Sequence, residues 1–213
     1  MRKTNLTTIL LLVVLIFSSC KQQSNEIFNG KDLSNWNLVV ENDAVPANEV
    51  YSVNDGVITI IGQPFGYMYT KGKYKNYTLE LEYRWVDNAT NSGIFILIED
   101  PTNPFPKGVE CQLKAGLAGD FVLLAGSDLD EYTLPEGITE RPDFPVIDKK
   151  ETSSEKPTGE WNKVKIVVED GVVTVFINDV LQNRATSKVM EGYIGLQSEG
   201  GPIQFKNIVL SWA

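Results

Sequence analysis

The sequence has no histidine, which removes Ser-His-Asp and Cys-His nucleophilic machinery and every zinc site built on imidazole. Acid–base chemistry must then fall to carboxylates, Lys, Tyr or a metal-bound water. Cysteine is nearly absent too, with Cys20 and Cys111 alone. If Cys20 belongs to a processed N-terminus, the mature domain can form no internal disulfide. The apolar phase of Cys111 within a strand marks it as a small core residue rather than a nucleophile. Basic residues are outnumbered, 19 Lys and Arg against 28 Asp and Glu, giving a net charge of −9; this disfavours nucleic acid and anionic surfaces as partners. Long apolar runs are limited to residues 6–17, a stretch too short to span a bilayer comfortably. No internal repeat and no amphipathic helical pattern is visible.

What is present begins with that apolar run. Arg2 and Lys3 precede it and Ser18-Ser19-Cys20 follow it, the n-region, h-region and small-residue site of a secretory signal. The pattern resembles a bacterial lipoprotein signal, in which Cys20 becomes the lipidated first residue; Phe17 stands where Leu is usual. The alternatives are an uncleaved anchor helix or an ordinary signal with an incidental cysteine. Residues 1–20 are thus expected to be removed and residues 21–26 to tether the protein, by its lipid only, to a membrane of the cell envelope. Residues 27–213 are long enough for one core and are expected to form a single domain.

Within that domain the dominant period is two. Tyr77, Leu79, Leu81, Tyr83 and Trp85 alternate with Thr78, Glu80, Glu82 and Arg84, the pattern of a half-buried antiparallel strand. Asn54-Asp55-Gly56 and Glu169-Asp170-Gly171 each separate two apolar β-rich runs and predict hairpins. Asn91-Ser92-Gly93 opens a strand over residues 94–98 that is apolar on both sides and therefore central. Residues 193–198 and 203–212 predict the last two strands, and Trp36 is expected to pack its ring on a sheet. Residues 127–160, with scattered acids and prolines, read as one long loop. At least nine strands without a helix predict an all-β fold: two antiparallel sheets packed face to face as a sandwich or jelly roll.

The chemistry gathers around KGVECQLKAGLAGDFVLLAG, residues 107–126. Val109, Cys111 and Leu113 point one way in an extended strand, and Glu110, Gln112 and Lys114 the other. Similar polar rows occur as Glu80, Glu82 and Arg84, and as Tyr193 and Gln197 with Glu199 at the strand end. If these strands are neighbours, carboxylates, amides and cations converge on a surface suited to a polyhydroxylated ligand. A solvated sheet face laced with salt bridges is the other reading of the same rows.

Six segments in order, FNGKDLSNW, YTLELEYRW, NSGIFI, VECQL, GEWNKVKIVVEDGVVTVFIN and GYIGLQSEGGPIQFKNIVL, resemble the 3-keto-disaccharide hydrolase family across nearly the whole mature chain. The resemblance implies a concanavalin-A-like fold, export as a lipoprotein, and cleavage of glycosides already oxidised to a ketone at sugar C3. It also has departures. Many members carry Arg where this chain has Leu97 or Ile98, Asp where it has Ala115, and His where it has Glu199.

The implied reaction abstracts the acidic C2 proton and expels the C1 oxygen, which needs one base and an enolate stabiliser. On that basis Glu110 is expected as base or metal ligand, Gln112 as its orienting partner, and Lys114 and Arg84 as oxyanion stabilisers. Glu82, Asn91, Tyr193, Gln197 and Glu199 are expected to bind the sugar. Glu110 and Glu199 would hold any divalent cation, of calcium or magnesium type. The main rival is a non-catalytic, lectin-like sugar-binding lipoprotein on the same fold; no segment has the alternating-acid strand of a retaining glucanase.

Overall fold

The structure, a computed structural model, describes residues 23–25, 27–101 and 105–212. The expected signal, its Cys20 lipidation site and residues 21, 22 and 26 of the expected tether lie outside the described residues. Tether residues Gln23–Asn25 form a short strand, β1, paired antiparallel with residues 210–212. That part of the tether is therefore incorporated into the domain.

The remaining strands are β2 (Trp36–Val40), β3 (Tyr51–Asn54), β4 (Val57–Ile60), β5 (Gly66–Thr70), β6 (Tyr77–Trp85), β7 (Gly93–Asp100) and β8 (Lys107–Gln112). They continue as β9 (Phe121–Leu124), β10 (Val146–Ile147), β11 (Asn162–Glu169), β12 (Val172–Ile177), β13 (Val180–Thr186), β14 (Tyr193–Ser198) and β15 (Ile203–Trp212). Helix is limited, among the described residues, to a 3-10 turn at Glu41–Asp43 and one α-turn at Ala47–Val50. No helix of the described residues is long and apolar enough to cross a membrane.

The first sheet runs β13-β12-β11-β6-β15-β4-β3, with β1 also on β15; the second runs β10-β9-β8-β7-β14-β5-β2. Each expected hairpin forms through a two-residue turn. Asp55 and Gly56 have φ of 49° and 75°, and Asp170 and Gly171 have 46° and 81°. Positive φ at both central positions matches the right-handed twist of the flanking strands, which is why Asp-Gly occupies them. The stretch at 127–160 is not wholly loop, since β10 pairs with β9.

The inward faces of both sheets make one core. Every odd residue from Tyr77 to Trp85 is at most 3% exposed and packs with Ile94, Ile96, Val109, Cys111, Leu113, Ile166 and Phe205. Trp36 is buried in the same core. The strand β7 sits between β8 and β14, so the expected central position is observed. Its alternation breaks at Leu97, which has φ 51° where the register with both neighbours shifts. The bulge sends Ile96 and Leu97 to the core side, while Phe95 and Ile98 join a separate apolar cluster with Tyr67, Val122 and Leu124. That cluster lies on the outer face of the second sheet.

Candidate active site

The outer face of the second sheet is organised by pairings across five strands. Glu110 on β8 faces Phe95 on β7 and Val122 on β9; Phe95 in turn faces Gly195 on β14, which faces Tyr69 on β5. One step along the strands, Gly93 pairs with Gln112, and Gln197 pairs with Tyr67. Strand parity therefore puts Glu110, Gln112, Gln197, Tyr67, Tyr69 and Phe95 on one surface. Rings pave it: Tyr67 and Phe95 meet edge to face at 5.6 Å, Tyr67 and Tyr69 lie 5.7 Å apart, and Tyr69 and Tyr193 5.4 Å. Lys73 places its ammonium 5.2 Å from the Tyr193 ring centroid.

Glu110 is 3% exposed although it belongs to the outward row. Of the two readings of this row, the fully solvated one does not hold at Glu110: the carboxyl lies over Gly93 between Phe95 and Val122. Its Oε1 has no hydrogen-bond partner among the described residues, and the same is true of Gln197 Oε1 and Asn91 Oδ1. Burial pushes the Glu110 carboxyl well above the usual carboxylate range, and the nearby Glu199 carboxylate pushes it further. Unpartnered buried acceptors cost about 1–3 kcal/mol each. Two of them, Glu110 Oε1 and Gln197 Oε1, share one sheet face, as in a surface that receives donors from a ligand.

The neighbours of Glu110 are specified by backbone fit. A side chain at position 93 would place its Cβ 2.6 Å from Glu110 Cγ and 2.7 Å from Cδ, and closer still to Oε1. Only glycine leaves room for the carboxyl to lie over β7. The end of β14 supplies the second acid, with Gln197 Nε2 donating to Glu199 Oε2 at 2.8 Å. Ser198 between them points inward, and its hydroxyl donates to the Pro64 carbonyl at 3.1 Å. Asn91 is tied to this end of the sheet: Gly200 packs against its backbone, and the Ser92 hydroxyl donates to the Gln197 carbonyl at 3.0 Å.

Several expected members are elsewhere. Arg84 lies on β6 in the opposite sheet, donating to Gln204 Oε1 at 2.8 Å and stacking on Trp161 at 4.6 Å. It cannot stabilise an oxyanion next to Glu110. Glu82 shares that remote face, accepting from Asn207 at 2.7 Å and pairing with Lys206 at 3.6 Å. Both corrections have one cause: β6 pairs with β11 and β15, and not with β8. Gln112 does not orient Glu110; its Oε1 accepts from the backbone N–H groups of Leu113 and Lys114 at 3.2 and 3.1 Å. Lys114 is exposed in the turn after β8. Phe95, Tyr67, Tyr69 and Gly93 were not singled out from sequence. The alternation of GYMYT, which puts both tyrosines on one face, was the available signal.

A model of the 3-keto-alpha-glucoside-1,2-lyase-like domain matches residues 23–211. The chain belongs to this family. A 3-keto-disaccharide hydrolase of Bacteroides thetaiotaomicron is 26% identical over 224 residues, covering 85% of this chain and 76% of that protein. Among solved structures, a candidate glycosyl hydrolase of Parabacteroides distasonis aligns with a TM-score of 0.64 at 20% identity, covering 94% of this chain and 98% of that one. A Bacillus licheniformis β-glucanase aligns with a TM-score of 0.55 at 12% identity, over 90% of this chain and 98% of its own. These likenesses show the fold, a glycosidase-type jelly roll, in agreement with the all-β expectation.

In this lyase-like domain a divalent cation would meet oxygen alone. The groups that would hold it, the carboxylates of Glu110 and Glu199 with the unpartnered carbonyl oxygens of Gln197 and Asn91, are of the kind that suits calcium or magnesium better than zinc. Among the described residues no cluster of three or more His, Cys, Asp or Glu could hold a metal, so any such ion would depend on those amide oxygens. The other buried carboxyl among the described residues, Asp120, is raised by burial and partly restored by Lys149, its 3.9 Å ion-pair partner. It has the compensation that Glu110 lacks.

Proposed function

We propose that this lyase-like domain cleaves 3-keto-glycosides, with Glu110 as the proton-transfer group. The carrying observation is a carboxyl, 3% exposed and raised well above its usual range, with one oxygen unpartnered on a ring-paved sheet face. A carboxylate with elevated basicity is what abstraction of a C–H proton α to a ketone requires. Family membership supports the substrate class, since the ketone at C3 acidifies the hydrogen on C2.

In the proposed sequence Glu110, once ionised, takes the C2 proton and the electron pair moves into an enolate on C3. The enolate re-forms the ketone as its pair moves into a C1=C2 double bond and the C1–O bond breaks; the aglycone oxygen departs with the C1–O bonding pair and is protonated. The product is an enone with a C1=C2 double bond. Addition of water across it, OH to C1 and H to C2, gives net hydrolysis with all atoms balanced. The unpartnered amide oxygens of Gln197 and Asn91 would accept from sugar hydroxyls, and the Tyr67, Tyr69, Phe95 and Tyr193 rings would flank the sugar. With Arg84 remote, donors to the enolate would come from the amides of Gln112 and Gln197 and from Lys114 reaching in from its turn. If a cation binds, Glu199 and the two amide oxygens would hold it, and the chemistry it would supply is Lewis-acid stabilisation of the enolate.

The test is Glu110→Gln, which keeps the shape and removes the base. Cleavage of a 3-keto-glucoside, followed by the ultraviolet band of the conjugated enone, should fall about 10²- to 10⁴-fold. Activity within tenfold of the parent would sink the assignment. Parallel assays with chelator and with added calcium report on the cation. Binding of unoxidised glucan without turnover of any 3-keto sugar would instead favour the lectin-like reading. We also propose that the protein is exported and lipid-anchored through Cys20 in the cell envelope, on the strength of the n-region, apolar run and Ser18-Ser19-Cys20.

A further inference from the structure

Three phenylalanines in the connections of the second sheet, Phe65 before β5, Phe105 between β7 and β8 and Phe144 before β10, form a row and belong to neither apolar cluster. The Phe65 and Phe105 ring centroids are 6.1 Å apart and those of Phe105 and Phe144 5.4 Å, the latter edge to face. Phe65 immediately precedes β5 and follows Pro64, whose carbonyl is held by Ser198 between Gln197 and Glu199. Phe144 immediately precedes Pro145, whose carbonyl accepts from the Leu123 N–H at 2.8 Å, one residue from the Val122 that pairs with Glu110. The strands β5 and β9 are separated by β14, β7 and β8. The row therefore runs from the Glu199 end of the site, across the strands that carry Phe95 and Glu110, to the far edge.

Beside the row's outer end is a groove of about 430 Å³, lined among others by Phe105, Arg141, Pro142, Asp143, Phe144 and Pro145. Phe144 is 49% exposed, an unusual exposure for a ring in contact with another ring. Of the two charged side chains that line the groove, Arg141 and Asp143, the first is committed. The Arg141 guanidinium donates to Asp128 at 3.0 Å and to the Ser127 carbonyl at 2.8 Å, and it stacks on Tyr132 at 4.7 Å. A second sugar would need a donor or acceptor for each hydroxyl, and this groove offers few. A flat apolar ring needs only the faces and edges that two phenylalanines and two prolines present.

We propose that this groove is the leaving-group subsite and that it accepts an aromatic aglycone, so that aryl 3-keto-glycosides are the preferred substrate class. The proposal rests on the reading of Glu110 as the centre at which C2 and C1 react. From there the aglycone would follow the phenylalanine row outward to Phe144. The leaving phenol also suits the chemistry, because a phenoxide departs from C1 more readily than a sugar alkoxide.

Two measurements test it. In the first, kcat/KM is compared for 4-nitrophenyl 3-keto-glucoside and 3-keto-trehalose in the parent and in Phe144→Ala and Phe144→Leu. The expected result is a KM for the aryl substrate raised about tenfold in both variants, with a smaller rise for the disaccharide, whose leaving sugar gains less from a ring face, so that the ratio of the two kcat/KM values falls. Equal losses on both substrates, or no change on either, would overturn the subsite. In the second, titration calorimetry compares unoxidised 4-nitrophenyl glucoside with methyl glucoside, which requires no turnover. The parent should bind the aryl ligand about tenfold more tightly and Phe144→Leu should lose that preference. Equal binding of the two ligands overturns the subsite whatever the activity. An aryl preference in a parent that turns over neither 3-keto substrate would leave the subsite standing and reject the proposed reaction.

Discussion

Gly93 is the position at which the catalytic reading can be tested without touching the carboxylate. An added Cβ there would stand 2.6 and 2.7 Å from Glu110 Cγ and Cδ, whereas ordinary contact begins near 3.4 Å. The obstructing atoms belong to a side chain and not to backbone, so Glu110 must yield by about 1 Å. Gly93 itself does not have positive φ, and alanine there brings no backbone strain.

Overpacking of this kind costs about 1–3 kcal/mol of stability. A misplacement of about 1 Å at a reacting group costs on the order of 10²-fold in rate. Gly93→Ala should therefore lower kcat/KM on a 3-keto-glucoside about 10²-fold while the protein still unfolds cooperatively. A double-mutant cycle isolates the cause. In a Glu110→Ala background Cγ and Cδ are gone, so the urea-melt penalty of Gly93→Ala should largely disappear. If Gly93→Ala retains activity within threefold of the parent, or its stability penalty is the same in both backgrounds, the carboxyl does not lie over β7 as argued.

The pH dependence of stability follows from the same buried group. The folded-state pKa of Glu110 is raised, first by burial and then by Glu199, so the folded protein holds this proton more tightly than the unfolded chain. Stability must then decline as pH climbs from the ordinary carboxylate range through the raised folded value, and level off above it. Glu110→Gln removes this titration and should gain on the parent across that window in urea melts at stepped pH; parallel curves would refute the shift. For the anchor, Cys20→Ser should move the protein expressed in a Gram-negative host from the membrane to the soluble exported fraction. Retention of the variant on membranes would reject a lipid attached at Cys20.

How much of the site was legible depended on whether the deciding interaction was local. Glu110, Gln197 and Tyr193 were assigned correctly to an outward row because strand parity is a property of adjacent residues. The grouping of Arg84 and Glu82 with them failed, because parity says which side of its own sheet a residue takes and nothing about which sheet that is. Both side chains do face outward, from the wrong sheet. The aromatic row escaped notice since Phe65, Phe105 and Phe144 lie in connections without any period. Gly93 looked like the start of a strand, and its role appears only once Glu110 is laid across it.

The sequence alone determined that this is an all-β chain of hairpins, because alternation and Asp-Gly turns specify strands and their immediate partners over a few residues. It determined also the narrow chemical repertoire, since without histidine any proton transfer falls to carboxylates, Lys, Tyr or a metal-bound water. Tertiary structure decided which strands share a sheet, and so which acids share a site. It decided as well that Glu110 is desolvated: the carboxyl lies over Gly93 on β7, between Phe95 of that strand and Val122 of β9, residues that become its neighbours only when the sheet is assembled.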